Sequence, residues 1–463
     1  MDPSARQYEF VIGTGPSVHR NNDVRKMVRT HVMNEHIRTK KQRKSARNDQ
    51  GGRVTRSSSS NTQAQASEHE ASSEVPRLLG YPSALCTYAY PIAMQTRTHQ
   101  LLSTYLCHVT RRAHPLEQHL KINPSKCVEW FHLAVNDKAM FHALLFAMAS
   151  VLALLEGKSG SDESMYHMTK TIEIVNKRLR ENVHLVEETT IGALSCLALG
   201  EAVVGNVHLW HVHMRGLKEM IRAKGDVQSF NKSMQLKVRR SDIIGAIDYL
   251  ALPYLEFERE DSVPIWSCIT DEELKIIKAD FIDSIAGCDL HPDLVLIMMD
   301  VALFSNALRK AQDDPATVLN PYAFSEDLYW IEYRLLSFTT HLLTPSEEAH
   351  IDRACRIAGL LYMKLVLNEF PYSKNGSSIL LNTLRESLAR LQVTRYSIQL
   401  ILWISVVGSL ASQTTDDRNI FNSFVTGFIS TWSMYKKSRC NIPMHWIFPL
   451  HWFVEKSLKV LSG

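Results

Sequence analysis

The sequence predicts an all-α fold in which a multi-helix body follows a basic, partly disordered N-terminal arm. Apolar residues recur at helical spacing from about residue 77 onward, and runs of alternating β-branched residues are nearly absent. Of the 463 residues, 45% are hydrophobic, which is enough to bury a large core. The chain shows no fixed repeat period, and this argues against a regular solenoid.

Positive charge is concentrated near the N-terminus. Residues 1–75 contain 13 Lys and Arg against 8 Asp and Glu, whereas the other 388 residues contain 39 against 40. All of the net basicity therefore lies in the first sixth of the chain. This asymmetry is typical of a basic arm attached to a nearly neutral body.

Composition divides the chain into four segments. Residues 1–19 combine a short strand-like piece with a turn that contains Gly and Pro. Residues 20–47 are predicted to form a basic amphipathic helix with a nuclear-import signal. Residues 48–76 are rich in Ser, Gln, Gly, Ala and Thr, which predicts a disordered linker. Residues 77–463 are the predicted all-α body.

Helical periodicity and capping residues define the predicted elements of the body. Thr270 and Glu273 have the spacing of a capping box. The longest apolar run, 139–155, is at the lower limit for crossing a membrane and is interpreted as a buried core helix. The predicted helices span 97–110, 137–156, 163–182, 188–204, 206–224, 232–251, 270–286, 292–312, 326–343, 346–369, 377–411, 417–437 and 445–461.

A run of cations at 38–47 is the strongest local signal in the sequence. Such a cluster suits the acidic groove of a nuclear-import receptor or the phosphates of a nucleic acid, and a merely solvated arm is the alternative. Membrane binding is disfavoured, because the preceding apolar stripe lacks Trp, Phe and Leu. The predicted import and nucleic-acid residues are Arg38, Lys40, Lys41, Arg43, Lys44 and Arg47, and further candidate DNA contacts are Arg25, Lys26 and Arg29.

No catalytic, cofactor or metal site is predicted from the sequence. No two of the eight cysteines are closer than 20 residues, so a contiguous zinc cluster is excluded and reduced thiols are expected. The histidines at 208, 211 and 213 lack a convergent third ligand and are interpreted as packing residues. The pairs Cys107–His108 and His350–Cys355 lack an identifiable orienting group, so a nucleophilic site is not assigned to them.

Two blocks in the body resemble a known family. The first, HLWHVHMRGLKEMIRAKG at 208–225, is similar to the central helix of the fungal-specific transcription factor domain. It is followed by Ser241 and Asp242, which resemble the next helix of that family. The second block, at 400–421, resembles a late family block, although Asp417 replaces the usual Glu. The matching positions that we single out are Trp210, His213, Gly216, Leu217, Asp242, Trp403, Gly408 and Arg418.

The N-terminal region adds a third similarity. Phe10-Val11, followed by Arg29-Thr30-His31-Val32-Met33 and the cation run, resembles the opening of fungal proteins that carry this domain without a zinc cluster. From the residues alone, the glycine within the first block suits close helix packing, and the two tryptophans are expected to be buried anchors. These are structural roles, and none of the residues is assigned to catalysis.

The resemblance implies a nuclear transcription regulator with an all-α regulatory body, of a kind often encoded beside secondary-metabolite gene clusters. Its expected partners are other transcription regulators, while direct DNA binding and a homodimer are left open and no membrane is expected. The alternative is a co-regulator that does not bind DNA and acts through protein partners. An enzyme with an unrecognised helical site is less favoured than either.

Overall fold

A computed structural model describes residues 89–104, 129–158, 160–181, 186–259, 263–338, 349–367, 377–391 and 398–435. The chain forms two units, Met1–Cys86 and Thr87–Gly463, and all of the described residues belong to the second. That part is all-α and contains fourteen helices. They are α1 (Thr96–Thr104), α2 (Glu129–Asn136), α3 (Lys138–Leu155), α4 (Asp162–Glu181), α5 (Glu188–Val203), α6 (Val207–Lys224), α7 (Lys232–Tyr249), α8 (Asp271–Ser284), α9 (Pro292–Asp313), α10 (Pro321–Ser337), α11 (His350–Leu367), α12 (Ser378–Ala389), α13 (Ile398–Ala411) and α14 (Thr415–Tyr435).

The predicted all-α class is confirmed, and most predicted helices are present within a few residues of their expected limits. One prediction is wrong, because the single helix expected at 377–411 is two helices, α12 and α13. The two pack against each other, so they are not collinear. Helix α2 was not predicted, and α10 begins five residues before its expected start. The segments 1–19, 20–47 and 48–76 and the helix predicted at 445–461 lie outside the described residues.

The core is built around α3 and α5. Helix α3 packs against α2, α4 and α5, and α5 also packs against α6 and α7. Val151, Leu199, Val203 and Ile244 form one buried apolar cluster where α3, α5 and α7 meet. Helix α7 continues to α10, which packs against α9 and α11, and α11 packs against α12 and α13. The helices therefore form one continuous packed body.

Helix α3 is the one described helix that is long and apolar enough to cross a membrane, with a mean hydropathy of 1.9. The fold buries 72% of it. It packs on four neighbouring helices, α1, α2, α4 and α5, as its all-round apolar composition requires in a protein interior. The position of α3 therefore agrees with the buried core helix expected for residues 139–155.

Local sequence signals explain where several helices begin. The side chain of Asp137 accepts a hydrogen bond from the Met140 N–H at 2.8 Å and so caps α3. Thr270 and Glu273 form the predicted capping box at the start of α8. Helices α9 and α10 begin with Pro292 and Pro321, whose fixed φ suits the first helical position.

Candidate functional site

The first block of family-like residues forms the buried face of α6. Trp210, His213 and Leu217 are buried, whereas Gly216 is half-buried. The spacing of the three buried residues puts them on one face of the helix. The expectation that the tryptophan is a buried anchor is confirmed, because the Trp210 side chain is fully buried.

Trp210 joins α6 to α7 through a hydrogen bond and a close steric fit. Its indole Nε1–H donates to the Ser241 carbonyl oxygen at 3.2 Å. The ring lies against the backbone of Gly245, where an added Cβ would overlap the ring atoms Cε2 and Nε1. Only glycine leaves room for the ring at this position. The structure therefore identifies Gly245 as a site where α6 and α7 approach each other closely.

Ser241 links α7 to α5. Its hydroxyl is 2.9 Å from the Ser195 carbonyl oxygen on α5 and donates to it, and it is equally close to the Lys237 carbonyl within α7. Both serines are buried. Ser241 on α7 therefore contacts two helices. Its hydroxyl binds the backbone of α5, and its carbonyl oxygen accepts the hydrogen bond from Trp210 on α6.

Asp242 holds the loop that follows α7. Its two carboxylate oxygens accept hydrogen bonds from the backbone N–H groups of Tyr254 at 3.0 Å and Leu255 at 2.8 Å. Burial raises the pKa of Asp242 to about 7, and the two N–H donors act in the opposite direction. The family-like aspartate therefore has a structural role that fixes the loop after Pro253.

The histidines of the first block are in three different environments. His208 is exposed, the Nδ1 of His211 is 2.7 Å from the Tyr254 hydroxyl, and His213 is buried in the core. Burial lowers the pKa of His213 to about 4, so its imidazole is neutral near pH 7. Within the described ranges, no three His, Cys, Asp or Glu side chains come together to hold a metal ion.

A buried carboxyl group lies at the C-terminal end of α5. Glu201 is 2% exposed, and burial raises its pKa to about 8, partly offset by a side-chain hydrogen bond with Asn206. The neighbouring Tyr249 hydroxyl donates to the Ala202 carbonyl oxygen at 3.3 Å. Glu201 therefore carries a proton near neutral pH, which lets the fold enclose it without a buried negative charge.

A salt bridge connects α7 with α11. The ammonium group of Lys364 on α11 pairs with the carboxylate of Asp248 on α7. Asp248 is buried, and the Lys364 side chain is only 15% exposed. Removing one partner would leave the other charge in a poorly solvated position, so both residues serve the fold.

The second family-like block joins α13 to α14. Trp403 is buried, as predicted, with its ring centroid 6.0 Å from that of Tyr362 on α11. An added Cβ at Gly408 would lie 2.5 Å from the ring of Phe421, so the absent side chain lets α14 approach α13. Arg418 donates to the Ser412 carbonyl oxygen at 3.3 Å and closes the turn between the two helices.

An acidic side chain lies at the start of α14. Asp417 lies in the first turn, its N–H donates to the Thr414 hydroxyl oxygen at 3.1 Å, and the Thr414 hydroxyl donates back to its carboxylate at 2.7 Å. A carboxylate here also faces the positive end of the helix dipole. Asp417 and Thr414 therefore cap the start of α14.

The arm residues assigned to import and DNA contact lie outside the described residues, so their predictions remain untested. The Cys107–His108 pair lies outside them as well. In the other candidate pair His350 is exposed, whereas Cys355 is buried and burial raises the pKa of its thiol. A buried neutral thiol is a poor nucleophile, so Cys355 is a packing residue of the core.

Sequence reasoning missed Gly245 and Ser195 as members of this buried arrangement. Gly245 lies three residues after Asp242, and this position close to the family-like Ser241 and Asp242 could have identified it as a candidate. Ser195 contributes only its backbone carbonyl, which every residue type has, so the sequence cannot reveal this contact. In the described part of the chain, the family-like residues bring helices together and assemble no reactive groups.

These features define a class of protein: an all-α domain whose characteristic residues are packing anchors and backbone hydrogen-bonding groups. The chain matches the fungal specific transcription factor domain over residues 100–446 and belongs to that family. Membership supports a role in transcription regulation, for which the nucleus is the general location, and favours a regulator over an enzyme. No curated protein and no solved structure matches the chain.

Proposed function

We propose that the chain is a nuclear transcription regulator whose helical body binds protein partners or a small effector. The observation that carries this proposal is the family match over residues 100–446. In the same proposal, the basic arm provides nuclear import and affinity for DNA. Six of the ten residues at 38–47 are Lys or Arg, a density that suits an acidic receptor groove or a phosphate backbone.

Nuclear import is tested by neutralising the centre of the cation run. Replacing Lys40, Lys41, Arg43 and Lys44 with Ala should shift a fluorescently tagged full-length protein from the nucleus to the cytoplasm. The matched control replaces Arg6, Arg20, Arg53 and Arg56 with Ala, which removes the same charge elsewhere in the arm. Nuclear accumulation of the first variant at the level of the control would refute the import signal.

DNA affinity is tested by selection from a random duplex pool at several salt concentrations. If the arm reads DNA, the full-length protein should enrich a defined sequence, and replacing Arg25, Lys26 and Arg29 with Ala should abolish the enrichment. If binding is weak, shows no preference and falls steeply with salt, the arm is only an electrostatic tether. The regulator would then reach promoters through another protein.

That second result describes the alternative function, a co-regulator that does not bind DNA itself. The cysteine spacing favours it, since the sequence holds no closely spaced pair from which a zinc cluster could form. Two cysteines of the body, Cys196 and Cys355, are buried among helices. A co-regulator should be recovered on promoter DNA only when a DNA-binding partner is present.

The target genes form the last part of the proposal. We place them in a fungal secondary-metabolite gene cluster, because the N-terminal region and the two helical blocks together resemble regulators found beside such clusters. Deleting the gene for this chain should change the transcript levels of neighbouring biosynthetic genes. Unchanged levels under conditions in which those genes are expressed would place its targets elsewhere.

A further inference from the structure

Helix α8 exposes a continuous row of apolar residues. Among the described helices it packs mainly against α9, so much of its circumference faces outward. Ile276 is 60% exposed and Ile282 is 49% exposed, and Ala279 between them is exposed as well. Residues three apart are neighbours on a helix surface, so these three form one row. Contiguous exposed apolar surface of this kind is a feature of protein interaction sites.

The exposed face of α8 is symmetric about Ala279. The two exposed isoleucines lie three residues before and three residues after it, while Lys275 lies four before and Asp283 four after. All of them lie within about 60° of Ala279 around the helix axis, because each residue turns an α-helix by about 100°. Phe281 and Ser284 lie on the opposite side and are buried, so the symmetric face is the solvent-facing side of α8.

The two charged groups on this face are not engaged within the described body. Lys275 and Asp283 are exposed, and in the described part of the chain neither side chain forms a salt bridge or a hydrogen bond. By contrast, Glu273 of the same helix pairs with Lys310 of α9 at 2.7 Å. A face that carries one cation and one anion at equal distances from its centre is complementary to its own copy rotated by 180°.

We propose that α8 of one chain packs antiparallel against α8 of a second copy, with a two-fold axis at Ala279. A residue before Ala279 in one copy then lies level with the residue the same number of positions after it in the other. Ile276 is therefore level with Ile282, and Lys275 is level with Asp283. The two-fold axis forms each of these pairings twice. The small side chain of Ala279 lets the helix axes approach to about 8–10 Å, the usual separation of packed helices.

A second copy is the occupant because a single face of α8 supplies both the apolar row and both charges. The symmetry operation therefore completes the contact without a second surface elsewhere on the body. Burial of the isoleucines stabilises the pair, and the two charge pairs fix its register. Since each chain contributes mainly one helix of 14 residues, the interface is smaller than that of a stable dimer. We expect a weak dimer that forms at high protein concentration and weakens with salt.

Single charge reversals in the full-length chain test the contact, with sedimentation at about 50 mM salt as the measurement. Lys275→Glu alone and Asp283→Lys alone each place like charges level with one another. Each variant should therefore self-associate about tenfold more weakly than the parent chain. An equal mixture of the two variants should associate like the parent, because in the mixed pair every acid at these positions lies level with a cation. A chain that carries both reversals should associate like the parent as well.

Ala279→Arg should abolish self-association, because it places a long side chain on the two-fold axis. The control is Arg180→Glu, which reverses an exposed cation on α4 and should associate like the parent. All of these positions are exposed, so the variants should keep the parent melting temperature. A parent chain that stays monomeric at the highest soluble concentration would overturn the proposal, and so would a mixture of the reversed variants that fails to regain association. Neither result bears on the role in transcription regulation.

Discussion

The indole ring of Trp210 occupies the space that a side chain at position 245 would need. In a helix, replacing glycine with alanine normally stabilises by up to about 1 kcal/mol. At Gly245 the added Cβ would overlap the ring, and the indole is also held by its hydrogen bond to the Ser241 carbonyl. The steric cost therefore exceeds the helical gain at this position.

Gly245→Ala should lower the free energy of unfolding by about 1–3 kcal/mol, the usual cost of overpacking a core. Urea denaturation at neutral pH measures the change. Gly427→Ala in α14 is the control, since a Cβ added there meets nothing within 4 Å and should stabilise the chain. Equal stabilities for the two variants would show that Trp210 does not lie against Gly245.

The buried Glu201 should make the free energy of unfolding depend on pH between about 4.5 and 8. Burial raises its pKa to about 8 from the usual 4.5, so between these values the folded chain keeps a proton that the unfolded chain releases. The contribution of Glu201 to the free energy of unfolding is therefore fully present below pH 4.5 and is lost as the pH rises toward 8. Glu201→Gln keeps a polar side chain of similar shape that cannot ionise.

Glu201→Gln should therefore be more stable than the parent chain by on the order of 1–3 kcal/mol at pH 7–8. The difference should shrink to nearly nothing near pH 4.5. Urea denaturation across this range tests the prediction, with the exposed Glu181→Gln as a variant expected to change little. A constant difference at every pH would contradict a proton held by Glu201 in the folded state.

Among the helices, the junction of α13 with α11 and α14 depends on two aromatic side chains. Trp403 is buried beside Tyr362, and Phe421 from α14 fills the space that Gly408 leaves on α13. The aromatic anchor and the glycine are five residues apart on the same helix. One block of sequence therefore positions α13 against both neighbours.

Trp403→Ala should lower the free energy of unfolding by about 3–5 kcal/mol, because it removes a buried aromatic side chain and leaves a cavity. Thermal or urea unfolding measures the loss. The control, Leu252→Ala, removes apolar atoms from a side chain that is 52% exposed and should change stability by less than about 0.5 kcal/mol. A small effect at Trp403 would mean that this junction is not part of the core.

The sequence predicts helices well where an apolar stripe and a cap coincide, as in α8 with its box at Thr270 and Glu273. It fails at 377–411, where apolar residues occur throughout two helices that pack against each other, and periodicity alone gives no signal that one helix ends and another begins. It identifies Trp210 and Trp403 as anchors from their size. It does not identify Gly245 as the partner of Trp210, because that contact depends on how two separate helices meet.

Across the whole molecule, buried histidines oppose the effect of Glu201 at low pH. His142 and His167 lie with their Nδ1 atoms 2.9 Å apart, a distance that requires one ring to donate and the other to accept. Burial lowers the pKa of both to about 4, and that of His213 likewise. Protonating these rings breaks the pair and places charge inside the fold.

The sign of the histidine effect follows from these values. Between pH 6.5 and 4 the unfolded chain binds protons that the folded chain does not, so stability falls as the pH falls through this window. Above pH 6.5 the three histidines make their full contribution to the free energy of unfolding, because they are neutral in both the folded and the unfolded chain. These three histidines therefore reduce the stability of the body on acidification, whereas Glu201 and Asp242, whose pKa values burial raises, act in the opposite direction.

His213→Gln isolates one of these groups, because glutamine remains neutral and polar in the same buried place. The parent chain should lose on the order of 2–3 kcal/mol more than the variant between pH 6.5 and 4. Urea denaturation at several pH values measures both slopes. His208→Gln is the matched control, because it makes the same substitution at an exposed position of the same helix. Parallel slopes for the parent and His213→Gln would show that His213 takes up its proton in the folded chain as readily as in the unfolded one.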